Sequence, residues 1–172
     1  MIDKKIEKAF NDQINAELHS AYLYLSMVAY FESEGLKGFA NWMRVQVQEE
    51  QEHGMKFFDF ICERGGRVKL QPIEGPEVKW DAPKAAFDAA YKHECYISDR
   101  INKLVDLAIA EKDHAANAFL QWFVTEQVEE EDNASTIAGE MALIGDDRRA
   151  LLMIDRELGQ RTYTPPAAEG EE

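Results

Sequence analysis

The sequence predicts an all-α protein: a four-helix bundle with a long crossover between its second and third helices and a short fifth helix near the C-terminal end. Three observations lead there. Apolar residues recur at steps of three and four through four long segments. Short polar turns join the first segment to the second and the third to the fourth, whereas residues 65–82 are too long for a hairpin and suit a crossover along the outside of a bundle. Finally, each of the four apolar stripes is interrupted by a carboxylate.

The first helix is expected over residues 3–33, with Ile6, Phe10, Ile14, Ala21, Tyr24, Val28 and Phe31 on one face and Glu17 filling the missing step. Gly35 stops it. The second, 37–64, carries Phe39, Trp42/Met43, Gln46, Glu50, His53, Phe57 and Phe60 on its stripe, and Gly65-Gly66 ends it. The third runs from about Pro83, a residue suited to a first turn, to Glu111. Its stripe is Phe87, Tyr91, Glu94, Ile97/Ser98, Ile101, Val105 and Ala108. Asp113 is the expected cap of the fourth helix, 114–144, whose stripe is Phe119/Leu120, Phe123, Gln127, Glu130, Ile137 and Met141. A short helix over 147–159 follows, with Asp146 as its expected cap. Residues 1–160 form one domain, and 161–172 read as a loose acidic tail.

The interrupting acids fall at matching heights. The midpoint of Glu17 and Glu50 lies in the Ser33-Glu34-Gly35 turn, and that of Glu94 and Glu130 is Lys112, in the second turn. A bundle that aligns its two hairpins brings Glu17, Glu50, His53, Glu94, Gln127 and Glu130 together. Desolvating an ion costs several kcal/mol, against a domain stability of about 5–15 kcal/mol, and like charges repel. Internal cations are scarce: residues 9–36, 45–55 and 115–147 contain no Lys or Arg. A bound metal pair resolves the conflict, and carboxylates with an imidazole suit iron, manganese or zinc. Taken alone, a helical Glu-x-x-His is usually an exposed polar pair. It is the set of four interrupted stripes that points to a site.

Other residues are open to two readings. Glu49, Glu126 and Glu129 adjoin the core set and are equally a solvated helix face. Tyr24 is core packing, or a phenol that hydrogen-bonds a ligand and can be oxidised. Trp122 and Phe123 read as packing, and His19, His93 and His114 as surface residues. The net charge of −14 argues against nucleic acid and against anionic membranes. No apolar run is long enough to span a bilayer, and the N-terminal stretch lacks the apolar segment of a signal peptide. Cys62 and Cys95 read as free thiols in a reducing cytoplasm.

At these residues the sequence resembles the bacterial non-haem ferritins. The resemblance covers roughly residues 1–160 and rests on Asn15-Ala16-Glu17-Leu18-His19-Ser20-Ala21-Tyr22, Glu49-Glu50-Gln51-Glu52-His53, Tyr91-Lys92-His93-Glu94 and the run from Phe119 through Glu131. It implies a homo-oligomeric cage of twenty-four subunits that stores ferric mineral, with Fe²⁺ and O₂ or H₂O₂ as reactants. Glu17, Glu50 and His53 resemble the ligands of a first iron, and Glu50, Glu94 and Glu130 those of a second, with Glu50 bridging. Gln127 resembles the glutamine that hydrogen-bonds near the diiron centre, and Tyr24 the tyrosine beside it. Glu49, Glu126, Glu129 and Glu130 resemble a third iron site. A second Glu-x-x-His, found in bacterioferritin and rubrerythrin, is replaced by Gln127-Val128-Glu129-Glu130. Glu52 stands where bacterioferritin has its haem methionine, so no haem is expected, and there is no C-x-x-C pair for a rubredoxin domain. The expected activity is that of a ferroxidase. The alternatives are a rubrerythrin-like diiron peroxidase without mineral storage, or a non-catalytic assembly subunit.

Overall fold

A computed structural model describes residues 1–164. It contains five helices: α1 (Lys4–Ser33), α2 (Lys37–Glu63), α3 (Pro83–Ala110), α4 (His114–Ile144) and α5 (Arg148–Leu158), with no strand among the described residues. The expected bundle is therefore the observed one. The α1–α2 and α3–α4 hairpins are each packed along their length, and α1 also packs against α3.

Local chemistry sets the helix ends. Asp3 caps α1 by accepting from Lys5 N at 2.7 Å, and Asp113 caps α4 by accepting from Ala116 N at 3.0 Å. Gly35 takes φ +75°, a left-handed conformation that costs a side-chain-bearing residue more than glycine, and so turns the chain sharply between α1 and α2. The cap of α5 is Asp147, which accepts from the amides of Arg149 and Ala150, and not the expected Asp146. The two aspartates are adjacent, so sequence pattern alone could not choose between them.

The crossover lies along α1. Asn11 accepts from Lys69 N and donates to the Arg67 carbonyl at 3.2 Å, Gln71 donates to Asp12 at 2.8 Å, and Ser26 donates to the Glu77 carbonyl at 2.6 Å. The buried polar residues Glu7 and Asn11 thus serve the backbone of this otherwise unpaired segment.

The apolar core is in two parts. One centres on Phe31, Phe39, Phe87 and Met141, and the other on Phe10, Phe57, Ile101 and Phe123. Buried Glu17, Gln46, Glu50, His53, Glu94, Gln127 and Glu130 belong to neither. Tyr91, expected on the α3 stripe, is instead exposed.

The helix α5 docks on α2, burying Ile154 in the first cluster. Leu36, at the α2 N-cap, offers no side-chain acceptor. Asp155 supplies one from α5, accepting from Gly38 N at 2.7 Å and Phe39 N at 3.1 Å, where its charge also favours the helix N-terminus. The approach is so close that a Cβ on Gly38 would lie 1.5 Å from the Asp155 carbonyl oxygen. We expect Gly38→Ala to destabilise the α5 contact by about 1–3 kcal/mol, the scale of overpacking. Faster hydrogen exchange confined to α5 and the start of α2 would report it, and unchanged exchange would refute it.

Residues 161–163, read from the sequence as part of a loose tail, are bonded to α2. Asn41 donates to the Leu158 and Arg161 carbonyls, Arg161 reaches Gln46 and Glu49, and the Tyr163 hydroxyl donates to Glu52 at 3.2 Å. Residues 159–163 are thereby held along α2. Residues 165–172, the rest of the expected acidic tail, lie outside the described residues.

Candidate metal centre

Four helices contribute to the polar layer, each at the position where its apolar stripe is interrupted. Glu17 comes from α1, Glu50 and His53 from α2, Glu94 from α3, and Gln127 and Glu130 from α4, and all six are buried. Contacts across the hairpins show that the two pairs are aligned. Gln46 of α2 donates to Glu130 of α4 at 2.8 Å, and the Tyr24 hydroxyl of α1 donates to Glu94 of α3. On α2 the three-residue spacing of Glu50 and His53 sets both side chains on one face, with Nδ1 of His53 3.7 Å from Glu50 Oε2.

Two sets of three donors lie within 4.8 Å of one another: Glu17, Glu50 and His53, and His53, Glu126 and Glu130. Among the described residues Glu94, Glu49 and Glu129 belong to no such set. Glu94 is oriented differently, by Tyr24 on one oxygen and by the Gln127 amide on the other at 3.3 Å. Gln127 also donates to the Ser98 hydroxyl at 3.3 Å.

Electrostatics mark the layer as unfavourable without a cation. Burial raises the carboxyl of Glu17, opposed by attraction to His53. Burial raises Glu50 well above the usual carboxylate range, and the neighbouring Glu94, Glu17 and Glu130 add to it. Burial lifts Glu94 to about 7, against the hydrogen bonds from Tyr24 and Gln127. It lifts Glu130 to about 8, with Glu94 and Glu49 contributing. Glu49 and Glu126 are raised by burial as well, opposed chiefly by Arg161 and by His53 respectively. Burial and the Glu94 charge keep the Tyr24 phenol protonated and so a donor.

Glu17 Oε2 and Glu50 Oε2 are buried and, among the described residues, meet no N–H or hydroxyl donor; only a proton shared between the two carboxyls can link them. A buried carboxylate oxygen without a donor costs about 1–3 kcal/mol or more. These two atoms, beside the imidazole of His53, fit a divalent ion of the iron, manganese or zinc kind, which takes oxygen and imidazole nitrogen together.

The structure corrects the expectation that almost no cation approaches the layer. Two arginines reach it through glutamines. Arg100 Nε donates to Gln13 Oε1 at 2.9 Å, and Gln13 donates to Glu17 Oε1 at 2.8 Å. Arg161 donates to Gln46, which donates to Glu130, and its second nitrogen meets Glu49 at 2.8 Å. Neither arginine stands near its carboxylate in sequence, so only the glutamines could have signalled the contact. Gln13, Gln46 and Gln127 each precede a layer glutamate by three or four residues. His93, expected at the surface, is half-buried: its Nε2 lies 2.7 Å from the Ser20 hydroxyl, and burial followed by His19 holds it near 4, as neutral imidazole. Trp122 and Phe123 pack against His53, with ring centroids at 5.4 and 5.9 Å.

A helical bundle with buried carboxylates and an imidazole at its centre defines a class of metal-binding bundles. Comparison with known proteins specifies the member. The family model described as a ferritin-like domain matches residues 7–144. A bacterial non-haem ferritin of Bacteroides fragilis is 45% identical over 161 residues, 94% of this chain and 100% of that protein. One from Staphylococcus aureus is 36% identical over 163 residues, covering 95% of this chain and 98% of its own. An open-pore ferritin from the archaeon Archaeoglobus fulgidus superposes with a TM-score of 0.93 at 57% identity, covering 94% of this chain and 100% of its own. The chain belongs to the ferritin family, which places it among iron-storage proteins. Among the described residues no helix is long and apolar enough to cross a membrane.

Proposed function

We propose that the chain is a ferroxidase that oxidises Fe²⁺ at a two-iron centre and stores the product as ferric oxyhydroxide inside a cage of twenty-four copies. The observation that carries this reading is the pair of buried oxygens on Glu17 and Glu50 that no N–H or hydroxyl donor meets, beside His53. They supply the ligands of the first iron. Glu50, Glu94 and Glu130 supply those of the second, once Glu94 turns from its present contacts. Glu126, already grouped with His53 and Glu130, connects the centre to Glu49 and Glu129 as a third position.

The protein's own contribution follows from its charges. Without a cation, burial shifts these carboxyls toward their protonated forms. Two arriving Fe²⁺ ions displace the protons, because a doubly charged ion compensates the burial better than a proton does. The anionic donor set favours Fe³⁺ over Fe²⁺. Each Fe²⁺ then gives one electron to O₂, and with two protons the products are two Fe³⁺ and H₂O₂. Before loading, Tyr24 holds one oxygen of Glu94 and Gln127 the other, and both contacts give way as Glu94 turns to the ion. The free thiols Cys62 and Cys95 support a reducing cytoplasm as the working compartment.

The test is stopped-flow absorbance after two Fe²⁺ per subunit are added aerobically to metal-free protein. A fast visible transient leading to a stable ferric band is expected, with size-exclusion chromatography showing a large assembly. Slow featureless oxidation would overturn the reading. Peroxide turnover without mineral growth would instead favour the rubrerythrin-like alternative.

A further inference from the structure

We propose that Arg161 is a positioning residue that occupies the outer acidic position while no metal is bound, and that a cation reaching Glu49 displaces it and releases residues 159–163 from α2. The inference rests on the reading above, in which Glu49, Glu126 and Glu129 accept a cation.

The contacts of Arg161 are specific. One guanidinium nitrogen meets Glu49 Oε2 at 2.8 Å, and the other donates to Gln46 Oε1. The guanidinium lies over the Trp42 ring, 4.6 Å from its centroid. Arg161 is only 22% exposed and Glu49 21%, so this is not a freely solvated surface pair. A planar fork that bridges two acceptors on neighbouring side chains while stacking on an indole is a task for arginine and not for lysine.

The chain around Arg161 is built to present it. Asn41 donates to its carbonyl at 2.9 Å, and Tyr163 beyond it donates to Glu52. Residues 158–163 therefore follow α2 in the direction of the helix, from Asn41 to Glu52. Arg161 is the strap's one cation aimed at the centre. It also aligns Gln46, whose amide donates to Glu130. Glu130 is in the donor set with His53 and Glu126.

Occupancy of Glu49 by arginine and by a divalent ion is mutually exclusive. Both seek the same carboxylate oxygen, and two cations a few ångströms apart in a partly buried site repel with little screening. The arginine thus neutralises Glu49 in the empty protein and raises the threshold for filling the outer position. When the inner ligands fill first, they leave Glu49 as the next anion. Its loading then expels Arg161 and frees Gln46. In this way the C-terminal strap reports whether the outer position is full.

The experiment uses the assembled protein and Zn²⁺, which cannot be oxidised. Zn²⁺ is titrated by calorimetry while hydrogen exchange is followed in residues 159–161, whose amides bond back to α5. In the wild type, exchange in this segment should rise only after the tight inner equivalents are bound. Arg161→Gln should bind the outer ion about tenfold more tightly, the size of effect expected for a group that supports a ligand, and should show fast exchange with or without Zn²⁺. Arg161→Lys should not restore the wild-type pattern. Glu49→Gln should abolish the Zn²⁺-dependent change. Exchange that stays constant after every site, inner and outer, is filled, or an outer affinity unaltered by Arg161→Gln, would overturn this inference alone. A wild type that binds no Zn²⁺ would overturn it together with the proposed function.

Discussion

Glu50→Ala should abolish the fast phase of Fe²⁺ oxidation while leaving the folded, assembled protein intact. Glu50 is the most compromised carboxyl of the layer. It is buried, surrounded by Glu94, Glu17 and Glu130, and has an oxygen without a donor among the described residues. Its removal relieves the metal-free fold of a strained group, so stability should change little or rise. Loading has the opposite dependence, because Glu50 is the carboxylate that faces both proposed ions. Groups that only support a ligand contribute about 10–100-fold to metal affinity. Loss of the shared ligand itself should therefore lower the initial rate by at least about 100-fold. His53→Ala should behave alike, since His53 is common to both donor sets. Initial rates equal to the wild type in either variant would sink the two-iron assignment, and circular dichroism with size-exclusion chromatography would show that the loss is not unfolding.

The positions of these proposed ligands are legible because burial and polarity conflict there. A carboxylate on a 3.6-residue apolar stripe is visible from one helix, and four of them level with the turns specify a layer. That legibility depended on the hairpins aligning, which periodicity cannot decide. Gln46 meeting Glu130 and Tyr24 meeting Glu94 settle it in the fold. What stayed hidden came from contacts that no periodicity encodes. Arg161 reaches Glu49 across 112 positions of sequence, and Arg100 reaches Gln13 across 87. Arg161 arrives from the segment after α5, which has no stripe in the site, and Arg100 from α3 but off the stripe that carries Glu94. His93 was misplaced for a related reason. Its phase on α3 points away from the main stripe, yet the packing of α1 against α3 covers it beside Ser20.

The metal-free protein should lose stability as pH rises from 6.5 to 8.5. Glu94 and Glu130 hold their protons in the fold to about 7 and about 8, whereas ordinary carboxyls release them near 4.5. Between those values the folded state binds more protons than the unfolded chain, so stability falls with increasing pH. This contribution is complete below about 4.5 and is lost as pH passes through 7 and 8. The window must begin above 6.5, because His93 acts in the reverse sense. Its folded value of about 4 lies below the ordinary 6.5, so its contribution grows with pH across that lower interval. The lowered carboxyls of Asp12 and Asp113 act lower still, below about 3.8. Thermal unfolding in the presence of a chelator should show a melting temperature at least about 3 °C lower at pH 8.5 than at 6.5, the shift that about 1 kcal/mol produces in a chain of this size. In Glu94→Gln/Glu130→Gln the amides cannot ionise, so the part of the difference that these two carboxyls supply should vanish, leaving that of Glu50, which burial raises in the same sense. A double variant that keeps the full slope would show that these two carboxyls are not its source. Saturating Zn²⁺ should reverse the slope in the wild type. The ion binds deprotonated ligands and releases protons on binding, so its stabilisation grows as pH rises. A wild type whose slope is the same with and without Zn²⁺ would mean that the ion does not bind where the buried protons are.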